Sequence, residues 1–138
     1  MNLMMERRLL QLAVAAGALV PLLAGGAGVI AGPDMLRGIG APVPADLDSH
    51  FRFLSGLLLG IGAAFLTCVP RIERHSARFQ LLGAIILVGG AGRALSLVEI
   101  GPPGQDHWLA LAMELGVMPL MMLWQWRLAH RWRRSVRP

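Results

Sequence analysis

Five side chains in this sequence can do more than pack: His50, Arg52, Arg93, Ser96 and Glu114. Two guanidinium groups, a carboxylate, a hydroxyl and an imidazole make a recognition set rather than a reactive one. Arginine offers a planar fork of donors that fits carboxylate or phosphate oxygens in pairs. His50 and Glu114 could exchange a proton by residue type alone, but no nucleophile or metal-ligand set accompanies them. Binding is therefore the expected chemistry, and no catalytic residue is assigned.

These groups matter because of what surrounds them. The chain of 138 residues is 55% hydrophobic and only 15% charged, with a mean hydropathy of +0.57. That is too apolar for an ordinary soluble domain of this size. All 13 basic residues are arginines, and they cluster at the ends of apolar runs. This is the membrane pattern, not the basic face of a nucleic-acid binder, so no nucleic-acid partner is expected. Cys68 is the lone cysteine. It can form neither an internal disulfide nor a zinc site, and it reads as a small apolar packing residue.

Four apolar runs must position the polar set. The first helix is expected over about 6–30, uncharged from Leu9 onward and too long for a signal-peptide core. Pro21 should kink it, and the small residues Ala24 to Gly28 allow close packing. Glycines and prolines from Gly32 to Pro44 mark a loop. The second helix is expected over about 48–69, with Asp48 or Ser49 as N-cap and Pro70 as stop. Gly56, Gly60 and Ala64 form a small-residue stripe, and Arg52 lies on that same stripe one turn before Gly56, so the arginine is expected to face the bundle if the glycines do. A basic loop with Arg71, Arg74 and Arg78 leads to the third helix, about 76–98. There Gly89, Arg93 and Ser96 share one face. After Gly101-Pro102-Pro103-Gly104, the fourth helix is expected over about 106–129, with Asp106 as N-cap and Glu114 interrupting its apolar run. Trp124, Trp126 and Trp132 suggest an interfacial belt, and the tail adds five arginines. No internal repeat is evident.

Orientation follows from the arginines. Ten lie in the N-terminal arm, the middle loop and the tail, whereas the opposite loops carry Arg37 alone. The positive-inside rule places both termini in the cytoplasm. Arg52, Arg93 and Glu114 then fall roughly 6, 9 and 10 Å below the outer face. His50, Ser96, Glu99 and His107 stand at or above that level. An ionised Glu114 in hydrocarbon needs a cation, and either arginine could serve. Two arginines against one glutamate leave a positive charge, to be balanced by Asp48, Glu99 or an anionic ligand.

Other readings share these residues. The ion pairs could lock helices together with no ligand at all. His50 and His107, at the outer starts of parallel helices, invite a haem, yet histidines at helix ends are commonly interfacial and no cofactor is expected. Glu114 could carry protons in a small transporter, although arginine neighbours would hold it ionised. The methionines of the fourth helix read as packing residues, and the arginine tail as an anchor to anionic lipid.

The string from His50 to Gly56 (HFRFLSG), Gly92-Arg93 with Ser96, Gly101-Pro102, and Glu114 resemble the pattern of DUF4345, an uncharacterised bacterial four-helix membrane family. The resemblance runs from about Leu9 to Leu128. It implies a small integral membrane protein of bacteria and supplies no activity, substrate or cofactor. The layout is also similar to other small four-helix membrane families such as the DoxX-like group, on helix count alone.

The sequence thus predicts an all-α, four-helix transmembrane bundle. It is read as one domain over 1–138, multi-pass in the inner membrane, with both termini cytoplasmic. The expected ligand site is His50, Arg52, Arg93, Ser96 and Glu114, holding a lipid headgroup or small anion. Membrane lipid is the expected partner. A second copy or a membrane-complex subunit could also associate through Gly56, Gly60 and Ala64.

Overall fold

The computed structural model describes residues 2–36 and 38–136, apart from the side chains of Asp106 and Val136. Arg37, the arginine of the expected outer loops, and Arg137 of the tail lie outside the described residues. The fold is all-α: α1 (Leu3–Ala31), α2 (Ala45–Cys68), α3 (Ser76–Glu99), α4 (Gln105–Ala112) and α5 (Met118–Val136). A π-helical turn, Met113–Val117, joins α4 to α5, so the two form one long helical span. Among the described residues, four helical spans are long and apolar enough to cross a membrane: Leu3–Met35, Ala45–Arg71, Ser76–Glu99 and His107–Ser135. Their outward faces are apolar, with Ile30, Val88, Val98 and Ile100 almost fully exposed. Water would penalise that surface, whereas lipid would not.

Helix starts differ from expectation by a few residues. Pro44 occupies the N-cap of α2, so α2 begins before Asp48 and Ser49, which lie inside its first turns. Gly104 occupies the N-cap of α4, and the side chain of Asp106 is outside the described set. The last helix continues past Ala129 to Val136 because nothing in that arginine-rich stretch breaks a helix.

The chain divides into two compact units. One comprises Gln11–Val69 and is a helical hairpin. Its seam is set by glycines on α1. A Cβ on Gly25 would lie 2.5 Å from Leu59 N and 2.7 Å from Ser55 O, and one on Gly28 would overlap the Ser55 side chain. From α2, Gly62 answers: its Cβ would come 3.0 Å from Leu22 Cγ and 3.1 Å from Pro21 Cγ. Asp48, Arg52, Ser55, Leu59 and Gly62 therefore form the stripe turned toward α1, at the four-then-three spacing of a helix face. The expected Gly56/Gly60/Ala64 stripe is not this seam. A Cβ on Gly60 would meet nothing within 4 Å. Arg52 belongs to the stripe that faces α1.

The other unit comprises the chain up to Leu10 together with everything from Pro70 onward. Its core is Leu10, Ile72, Phe79, Leu82, Leu128 and Ala129. Glycines again set the approach. A Cβ on Gly83 would lie 2.6 Å from Met122 Sδ, and one on Gly90 would lie 2.9 Å from Glu114 Cβ. Seven residues apart on α3, these two positions admit α5 and the π turn respectively. Three polar residues are buried with this core: Glu6, Glu73 and Gln125. Gln125 Nε2 donates to Ile72 O and Ser76 Oγ, both at 2.9 Å. Gln80 Nε2 donates to Met122 O at 2.9 Å and to Gln125 Oε1 at 3.2 Å. Arg7 Nε donates to Glu73 Oε2 at 2.8 Å and Nη2 to Pro70 O at 2.9 Å, while Arg131 pairs with Glu6. Each buried polar group is thereby satisfied.

Candidate functional site

Pro119 explains the π turn that carries Glu114. A proline has no N–H to close the helical turn, and its ring presses on the carbonyl four residues back, here Leu115. The turn before it widens, and the Met118 N–H reaches back five residues to Met113 O. Gly90 then lets this widened turn lie directly against α3, which brings Glu114 to Arg93.

Arg93 meets Glu114 through a two-point fork. Nε donates to Oε2 at 3.0 Å and Nη2 to Oε1 at 3.1 Å. Arg93 Nη1 is 2.9 Å from His107 Nδ1. A guanidinium only donates, so Nδ1 accepts and the imidazole proton of the neutral ring sits on Nε2. The carboxylate is mostly buried, and the guanidinium is a third exposed. Such a pair loses solvation on both sides and regains it through the fork.

Beside the pair lies a cleft of about 470 Å³, lined by Gly89, Arg93, Ser96, Leu97, Pro103 and His107. Gly89, Arg93 and Ser96 come from one face of α3, while Pro103 and His107 come from the loop and the start of α4. What remains unspent here can be counted. Arginine has five N–H donors. Three are used, by Glu114 twice and His107 once. The two left are one on Nη1 and one on Nη2. His107 Nε2–H and the Ser96 hydroxyl add to them. The cleft therefore offers donors from three side chains, and oxygen acceptors complement it.

The remaining predicted site residues stand elsewhere. Arg52 is in the other unit, where Nε donates to Asp48 Oδ2 at 2.9 Å. Its Nη1 donates to Val29 O at 2.6 Å and Ile30 O at 3.0 Å. It thus caps the carbonyl end of α1, the negative pole of that helix. Gly32 follows with φ +66°, and a Cβ there would lie 2.6 Å from Arg52 Nη2. Both the left-handed turn and the arginine's approach require glycine at this position. Asp48 balances the Arg52 charge within the hairpin. His50 is exposed on α2 and makes no side-chain hydrogen bond among the described contacts.

Sequence reasoning set His107 at the level of the polar groups but left it out of the expected ligand site. Its position seven residues before Glu114, which sets both on one face of the same span, was the available signal. Glu6, Glu73 and Gln125 were also missed, the two acids because each is a lone negative charge within an arginine-rich segment. Among the described residues, no three His, Cys, Asp or Glu side chains gather as a metal-ligand set.

No curated protein and no solved structure matches the chain. Residues 9–125, which include both the α1–α2 hairpin seam and the Arg93–Glu114 pair, match a family described as a domain of unknown function, DUF4345; the chain belongs to that family.

Proposed function

We propose that this protein is a small multi-pass membrane protein that binds an oxyanion group, a phosphate or carboxylate, in the cleft beside Arg93. The observation that carries the reading is the donor count: with the internal bonds made, Arg93, His107 and Ser96 still present N–H and O–H groups to one cavity. Glu114 holds the guanidinium edge-on, and one N–H on each of Nη1 and Nη2 is left for a ligand. A lipid headgroup and a free small anion share this chemistry. The arginine distribution supports insertion in a bacterial inner membrane with both termini cytoplasmic, which sets the cleft in the outer leaflet.

Native mass spectrometry of the detergent-purified protein tests this. Wild type should carry a bound species that Arg93→Leu loses and Ser96→Ala weakens. A mass with acyl chains identifies a lipid, and a small mass displaced by added phosphate identifies a free anion. An empty wild-type protein, or retention unchanged in both variants, overturns the reading. Circular dichroism of Arg93→Leu separates lost binding from lost folding.

A second reading rests on the open face at Gly60. A Cβ on Gly60 would meet nothing within 4 Å, while one on Gly56 would touch Val29 of α1; we propose a second copy of the chain as the helix that packs at Gly60. Gly60→Ile should then shift the protein from dimer to monomer by crosslinking in membranes; an unchanged oligomeric state removes this reading.

A further inference from the structure

At the far end of the same unit, α5 presents a second cleft, of about 380 Å³, lined by Glu6, Trp126, Arg127, His130, Arg131 and Arg134. The four basic positions on α5 follow the spacing 127, 130, 131 and 134, which is one face of a helix. Glu6 is buried and paired with Arg131, so it fixes that side chain and neutralises one charge. Arg127 and Arg134 have no protein acceptor among the described contacts. Three arginines against one carboxylate leave the cleft strongly positive before His130 is counted. His130 Nδ1 donates to Trp126 O at 2.8 Å, and its ring stands 4.2 Å from the Trp126 ring. The histidine is thereby held against Trp126, and the anion contacts fall to the arginines.

We infer that this cleft is a headgroup site for an acidic phospholipid, with Arg127 and Arg134 holding the phosphodiester. Two observations favour lipid over a soluble anion. Arg131 is seventeen residues beyond Glu114, about 25 Å along the helix axis; with Glu114 roughly 10 Å below the outer face, Arg131 falls just past the far edge of a hydrocarbon core about 30 Å thick. The cleft therefore sits at headgroup level when the span crosses the membrane. Trp126, about half exposed at its rim, supplies an amphipathic surface for the glycerol region, which a free phosphate would not use. The inference rests on the membrane placement proposed above and not on ligand binding beside Arg93.

The test uses the full-length protein in detergent, titrated with phosphatidylglycerol or phosphatidylcholine and read by native mass spectrometry. Wild type should retain phosphatidylglycerol at least about tenfold better than phosphatidylcholine. The double variant Arg127→Gln/Arg134→Gln should lose about 30-fold in phosphatidylglycerol retention, as expected for two arginine–phosphate contacts. Arg133→Gln, with one charge removed from outside the cleft, should stay near wild type. Equal losses in Arg133→Gln and in Arg127→Gln alone would show diffuse attraction to a basic tail and overturn the site. So would unchanged retention in the double variant. Displacement of the lipid by millimolar inorganic phosphate would reassign the cleft to a soluble anion. Alkaline extraction of native membranes checks insertion separately: a protein that leaves the membrane defeats the placement, and one that stays without lipid preference defeats this site alone.

Discussion

Replacing Gly25 with alanine and replacing Gly26 with alanine should have opposite effects, although the residues are adjacent and the chemistry is identical. In α1, alanine is favoured over glycine by about 1 kcal/mol through backbone entropy. At Gly26 a new Cβ meets nothing within 4 Å, so that gain is realised and the variant is more stable by about 0.5–1 kcal/mol. At Gly25 the same Cβ would lie 2.5 Å from Leu59 N, 2.7 Å from Ser55 O and 2.9 Å from Leu59 Cα. All three are backbone atoms, which no rotamer change can move. The hairpin must open, and overpacking of this kind costs about 1–3 kcal/mol after the propensity gain is included. The two variants should therefore differ by about 1.5–4 kcal/mol, combining the two effects. Reversible unfolding in mixed micelles, followed by circular dichroism against increasing denaturing detergent, measures the difference. Equal midpoints for the two variants would refute the seam on Gly25 and the reasoning that derives it from backbone contact.

Further outcomes follow from the same structure. Glu114→Leu and Arg93→Leu should each destabilise by about 2–3 kcal/mol, with the double variant recovering part of that loss, because each single change strands a partly buried charge; additive losses in an unfolding titration would refute the pairing. Gln125→Leu keeps the volume but strands the Ile72 carbonyl, and should cost about 1–3 kcal/mol by the same titration. Gly32→Ala should lower stability by about 1 kcal/mol or more from its positive φ alone, and a wild-type midpoint would contradict the cap on α1. Glu73→Gln should weaken the hold on Arg7 and speed hydrogen exchange in the first turns of α1, whereas unchanged protection there would show that the ion pair does not anchor that segment.

Much of this architecture was legible in the sequence because the membrane criterion is coarse. Long uncharged runs, Leu9 to Pro33 and Phe53 to Pro70 above all, leave little choice of element, and the helices begin within a few residues of expectation, although the last continues to Val136. The shared face of Gly89, Arg93 and Ser96 was also readable, since α3 is a regular helix and spacing fixes direction. The α1–α2 seam was not. Ser55/Leu59/Gly62 and Gly56/Gly60/Ala64 are neighbouring stripes with similar credentials, and only the matching glycines of α1 decide between them. Arg52 illustrates the same limit. A guanidinium one turn into a membrane helix calls for partners, but the sequence cannot show that two backbone carbonyls of α1 and its own Asp48 already meet the need. The buried acids were hidden for another reason: in segments dominated by arginine, a single glutamate looks solvated, yet Glu6 and Glu73 hold those segments to the core.

The π turn at Met113–Val117 has a mechanical side. One surplus residue in a helix turns everything on one side of it by about 100° relative to the other. The span containing Glu114 is thus geared: α5 can keep its grip on α3 through Met118 and Met122 while α4 takes a different azimuth, the one that presents His107 to Arg93. Were the surplus absorbed into a regular helix, His107 would swing away while the tail kept its place. The two ends of the span are in this sense set independently, so the cleft beside Arg93 can be tuned by substitutions near Pro119 without disturbing the arginine face at the other end.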